Sequence, residues 1–122
     1  MAVTSLTLAQ IASAKLFQDT AQSNAAVAVQ ASSTTVYMLE LDNTVNAAQA
    51  NYVKLYNTNA AVTVGTTVPD AVHLVPANTK LTLVFPLGQV FGTGLQIATV
   101  TAGGTGGTTA PTAALTVKLV YV

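Results

Sequence analysis

His73 is the chain's one histidine, cysteine and arginine are absent, and the acids are Asp19, Glu40, Asp42 and Asp70. Metal binding needs several His, Cys or carboxylate ligands converging, and here a lone His73 and no D-x-[DN]-x-[DN]-G series are present. A Ser-His-Asp set would have to use His73, and no G-x-S-x-G elbow exists to present the serine. Glu40 and Asp42 share a strand parity, as paired acid/base carboxylates would. With no histidine or lysine cluster beside them in sequence, they read as the solvated end of a strand. The glycines Gly103, Gly104, Gly106 and Gly107 lack the G-K-[ST] ending of a phosphate loop and lead into a strand pattern, not a helix. Tyr37, Tyr52 and Tyr56 have the rings to stack on sugars or bases. A single-strand nucleic-acid platform also wants basic residues between the aromatics, and Lys54 stands alone. These residues carry no catalytic set, and no enzyme activity, metal or cofactor is expected.

Composition points elsewhere. Charged residues make up 7% of the chain and apolar residues 51%, against a charged share of about a quarter in ordinary soluble domains. A surface so poor in charge is badly protected against association, which suggests a building block normally covered by copies of itself or by other subunits. Formal net charge is zero, so no field steers the protein towards nucleic acid or anionic lipid. The lack of arginine removes the favoured residue for phosphate and guanine contacts. No window approaches the roughly 20 consecutive apolar residues that span a bilayer. Met1 to Gln10 lacks the cationic start and apolar run of a signal peptide. The expectation is a cytoplasmically made protein with no nucleic-acid or membrane partner.

From residue 34 onward the chain alternates with period two, in short runs rich in β-branched and aromatic residues and bounded by Gly, Pro, Asn and Asp. Thr35 to Leu41 sets Tyr37, Leu39 and Leu41 against Val36, Met38 and Glu40. Tyr52 to Tyr56 sets Val53 and Leu55 against Tyr52, Lys54 and Tyr56. Further strands are expected at 72–75, with His73 facing outward on the parity of Val75, at 81–85, at 95–98 and at 115–121. Lys54, Lys80 and Lys118 fall on outward parity. Spacings of about 10 to 20 residues without a crossover helix imply antiparallel pairing. The fold class expected is all-β: an antiparallel, jelly-roll-like β-sandwich over residues 25–122, preceded by an N-terminal arm or helix over residues 1–24. In that first segment Leu8, Ile11, Ala12 and Leu16 lie at helical spacing, with Ser5 or Thr7 able to cap the start; the alternative is an extended arm through Thr4 to Leu8. Ala25 to Ala31 reads as a weaker, alanine-rich strand.

Two stretches read as loops, Asp42 to Ala50 and Ala102 to Pro111. The second, with Gly103, Gly104, Gly106 and Gly107 among Thr and Ala, has little in its own sequence to anchor it. It is a candidate contact element, as are Tyr37, Tyr52, Tyr56 and His73, although a plain hairpin connection is the more ordinary reading of such a loop.

The order of several segments resembles small structural proteins of tailed bacteriophages. They are Leu39-Glu40-Leu41-Asp42-Asn43, Tyr52-Val53-Lys54-Leu55-Tyr56-Asn57, Thr63-Val64-Gly65-Thr66-Thr67-Val68-Pro69-Asp70 followed by Pro76-Ala77, Phe91-Gly92-Thr93-Gly94-Leu95, and Val117-Lys118-Leu119-Val120-Tyr121. The resemblance covers roughly residues 34 to 122 and leaves residues 1–30 uncovered. It implies a compact antiparallel β-sandwich in the virion: a capsid cement or decoration protein binding major capsid protein or other virion subunits, or a tail or baseplate component. It also implies a homo-oligomer, commonly a trimer, and supplies no catalytic residue. Two rivals stand beside it. One is a fibre module that binds a receptor or glycan through Tyr37, Tyr52 or Tyr56. The other is a pilin-like or surface-layer unit, against which the missing export signal counts.

Overall fold

The structure, a computed structural model, describes residues 13–122, and none of these is helical. The strands are β1 (Lys15–Gln22), β2 (Val27–Gln30), β3 (Thr34–Asp42), β4 (Asn51–Tyr56), β5 (Ala71–Val75), β6 (Lys80–Phe91), β7 (Leu95–Val100) and β8 (Leu115–Tyr121). They form two four-stranded sheets of order β1-β8-β3-β6 and β2-β7-β4-β5, every pairing antiparallel. Apart from the β4–β5 hairpin, each strand hands the chain to the opposite sheet. That is the jelly-roll form of the β-sandwich.

Alternation explains which residues meet between the sheets. Val36, Leu39, Leu41, Val117 and Leu119 from one sheet pack against Val53, Leu55, Leu95 and Ile97 from the other, all fully buried. Burying one such side chain stabilises by about 1.5–3 kcal/mol, so this inner layer dominates the fold. At one end a fully buried asparagine, Asn43, ties the β3–β4 and β5–β6 connections together. Its Nδ2 donates to the carbonyls of Gln49, Val75 and Pro76, and its Oδ1 accepts from Asn46 and Asn51. Asn46 extends the tie to Ala113 through two hydrogen bonds of 2.9 Å.

Several sequence expectations are corrected. The helical pattern ending at Phe17 runs into β1, because Phe17 packs on the core opposite Leu119 while Leu16, assigned to the helix's apolar stripe, is 63% exposed. Period two wins there over period 3.6. The rest of that pattern, with the arm alternative through Thr4 to Leu8, lies outside the described residues. The expected boundary at residue 25 falls in the β1–β2 connection, inside the sandwich. Ala25 to Ala31 does contain a strand, β2, paired with β7.

In β3 a register shift between Val36 and Met38 breaks the alternation. Val36 and Leu39 both face the core, and Tyr37 does not share Leu39's place but lies against Gly88. An extra residue in one strand re-aims side chains in this way. β6 also runs on to Phe91, beyond the expected end at Phe85. Pro86 is tolerated because β6 is an edge strand.

Candidate functional site

β4 alternates Val53 and Leu55 inward with Tyr52, Lys54 and Tyr56 on the outer face. Antiparallel pairing places Val100, Ala98 and Gln96 of β7 directly beside those three. A sheet's outer face is ordinarily wet. Here Lys54, Tyr56, Ala98 and Val100 are nonetheless fully buried, because the connections after β4 and after β7 fold back over them. Gln96 Nε2 donates to the carbonyl of Ala60 at 2.6 Å, holding the first connection down. Gly65 of that connection lies against Thr108 of the second. Gly103 sits on the Tyr52 ring so closely that a Cβ there would come within 2.7 Å of Cδ1.

Lys54 holds the second connection. Its Nζ donates to the carbonyls of Gly104 at 2.7 Å, Gly107 at 3.0 Å and Thr105 at 3.4 Å. The loop closes on itself through Gly107 N to Gly104 O and Thr101 N to Thr109 O, each 3.0 Å. An ammonium has three donors and no acceptor, and three convergent carbonyls match it. Among the described residues the ion pairs belong to Glu40, so Lys54 has no carboxylate partner. Burial without a counter-charge pulls its pKa below the ordinary lysine value. The Tyr56 hydroxyl, buried beside it without a hydrogen-bond partner, is pushed up for the same reason.

The Gly-rich segment is therefore anchored, contrary to the expectation of a flexible loop. Gly103 and Gly107 are demanded from inside, the second by the Ala102 carbonyl, whereas Gly104 and Gly106 have open space around them. Lys54 has the outward parity expected and is buried all the same.

The other candidates are dispersed. His73 faces inward, not outward: its strand neighbours on the same parity, Ala71 and Val75, belong to the core, and its cross-strand partner is buried Val53. Its Nε2 has no hydrogen-bond partner, and burial lowers its pKa. Tyr37 lies on the sheet opposite Tyr52 and Tyr56, so the three tyrosines share no groove. Glu40 does have lysines beside it, supplied by register where sequence showed none: Lys80 at 3.5 Å and Lys118 at 3.8 Å. Asp42 is held low by its hydrogen bonds with the Thr44 hydroxyl and amide. No group of three or more metal-ligating side chains occurs among the described residues.

Sequence reasoning missed Lys54 as an anchor. Its one signal is a lysine flanked by alternating aromatics and paired in sequence with a distant glycine run. The outer face of the β1-β8-β3-β6 sheet, by contrast, is open. Register lines up Leu16, Val120, Met38 and Val84 in one row across all four strands, with Leu16 63% and Val84 65% exposed. Comparison with protein-family models, curated proteins and solved structures finds no match.

Proposed function

We propose that this protein is a virion structural subunit of a tailed bacteriophage, a capsid cement or decoration protein that binds between major capsid subunits. The observation that carries the reading is the pairing of a very low charge content with apolar side chains left exposed on both sheets. Leu16, Val84 and Val90 stand out from β1 and β6, and Val72 and Leu74 from β5. A subunit wedged between neighbours needs contact surface on more than one side, and exposed apolar area of this kind marks association. The jelly-roll scaffold suits the role but does not prescribe it, since one fold serves many functions.

The mechanism is contact, not chemistry. A protein that binds only the assembled shell stabilises that shell by mass action, and apolar area removed from water adds about 25 cal/mol per Å² before association costs. Of the three rings the glycan-binding alternative would use, Tyr56 is fully buried and Tyr52 lies under Gly103, which leaves it Tyr37. Cosedimentation of the purified protein with shells of the phage's major capsid protein tests the reading. Saturable binding that raises the temperature at which shells open is the expected result. A protein that stays in the supernatant at every concentration contradicts it.

A further inference from the structure

We propose that the outer face of the β1-β8-β3-β6 sheet pairs with the same face of a second copy about a two-fold axis parallel to the strands. This goes beyond the virion reading and does not depend on it; on that reading the second copy is one of the neighbours, and Val72 and Leu74 of β5 are left for other subunits.

Register defines the face. The apolar row Leu16–Val120–Met38–Val84 is followed one pleat further along by Gln18–Lys118–Glu40–Thr82. The inward neighbours Phe17, Leu119, Leu39 and Leu83 all pack on the core, which fixes both rows on the outside. A two-fold axis along the strands, between β8 and β3, keeps each row in place and reverses the strand order. Leu16 then meets Val84 of the second copy, and Val120 meets Met38. In the next row Lys118 meets Glu40, Glu40 meets Lys118, and Gln18 meets Thr82.

In these two rows apolar groups oppose apolar groups and both charged contacts are between opposite signs, the self-complementarity a two-fold interface requires; in the row after them, Thr116–Asp42–Lys80, the same axis sets Asp42 opposite Thr116. Sheets pack face to face with strand directions within about 30°, so the geometry is an ordinary one. Beside the second exposed patch, Val68, Val72 and Leu74, the charged strand partner is Lys54, which is buried and held by the Gly104 and Gly107 carbonyls, so no exposed pair of opposite charges accompanies it. Four strands spaced about 4.8 Å apart make a narrow face, at the low end of specific interfaces. Pairing is accordingly concentration-dependent, with a Kd in roughly the micromolar to millimolar range.

The test is sedimentation equilibrium of the full chain over a wide concentration series, with Glu40→Lys and Lys118→Glu made separately and then mixed. Wild type is expected to approach twice its 12.4 kDa mass. Each variant alone places like charges opposite one another and is expected to bind itself at least tenfold more weakly. In the mixture, Lys118 of one chain faces Glu40 of the other and both new charges face each other, so a heterodimer regains wild-type affinity. Charge repair within a chain cannot produce that result. Because Glu40 is partly enclosed, Val84→Lys, at a 65% exposed position, gives a second reading: it abolishes pairing, while Val72→Lys on the other sheet leaves it intact. A wild-type monomer at all concentrations, a trimer, or single charge variants that pair as well as wild type would overturn the proposal.

Discussion

The two outer faces of the sandwich obey the same alternation, yet the β4–β7 part of one is covered while the other is open. On the β2-β7-β4-β5 sheet, Lys54 and Tyr56 are fully buried beneath the protein's own connections. On the β1-β8-β3-β6 sheet, Leu16 and Val84, both apolar, stand mostly in solvent. A lysine is inside and a leucine outside, the reverse of what residue type alone suggests. Parity determines which face a side chain joins; the connections that follow β4 and β7 determine whether that face meets water.

Breaking the covered face should have the largest effect. Lys54→Ala removes an ammonium that three carbonyls share and the aliphatic stem packed below it, and is expected to lower unfolding stability by roughly 2–4 kcal/mol. Lys80→Ala, which loses one exposed pair with Glu40, should stay within about 0.5 kcal/mol. Urea titration of both checks the contrast. Equal losses would mean that the ammonium does not hold the cap.

Gly103 and Gly104 sharpen the same comparison. A Cβ at Gly103 collides with the Tyr52 ring, so Gly103→Ala should cost about 1–3 kcal/mol. Gly104→Ala enters open space and should fall within about 0.5 kcal/mol. Thermal melts of the two variants give the difference directly.

Smaller effects appear with pH, and the signs oppose one another. Burial lowers the pKa of Lys54, so the unfolded chain holds that proton more tightly, and stability gains from rising pH between the lowered value and 10.5. Burial raises the pKa of Tyr56, so its contribution is complete below 10.0 and is lost as pH climbs through the raised value. Lys54→Met should flatten the gain, and Tyr56→Phe should remove the alkaline loss, each read from denaturant midpoints over an alkaline pH series.

Least of all should happen at Val84. In dilute solution Val84→Ser leaves stability within about 0.5 kcal/mol, because the side chain has little packing to lose. A loss comparable to that of a core valine would show that this face is already covered within one chain.

Much of this arrangement was legible in the residues. Val53 and Leu55 against Tyr52 and Lys54, and Leu115, Val117 and Leu119 against Thr116 and Lys118, gave strand faces from period two alone, and the strand spacing gave the antiparallel sandwich. Leu16 misled because it completes an apolar helical spacing, while its neighbour Phe17 is the residue that enters the core. His73 reads as outward because alternation alone does not say which parity of β5 is buried; Val75, on its parity, is fully buried. The Lys54 cradle was hidden for a different reason. Its carbonyls come from Gly104, Thr105 and Gly107, about 50 residues away, and backbone acceptors leave no mark in a sequence. The Glu40 ion pairs depend likewise on β6 and β8 flanking β3, which is topology, not composition.

The most direct measurement is oxidative side-chain footprinting across a protein concentration series, comparing Met38 on the open face with Tyr56 beneath the cap. Met38 should be reactive in dilute solution and become protected as concentration rises, while Tyr56 stays protected throughout. A Met38 reactivity independent of concentration, or a Tyr56 labelled as readily as Tyr37 in dilute protein, would contradict the picture of the β4–β7 part of one face closed by its own chain and the other face by a second copy.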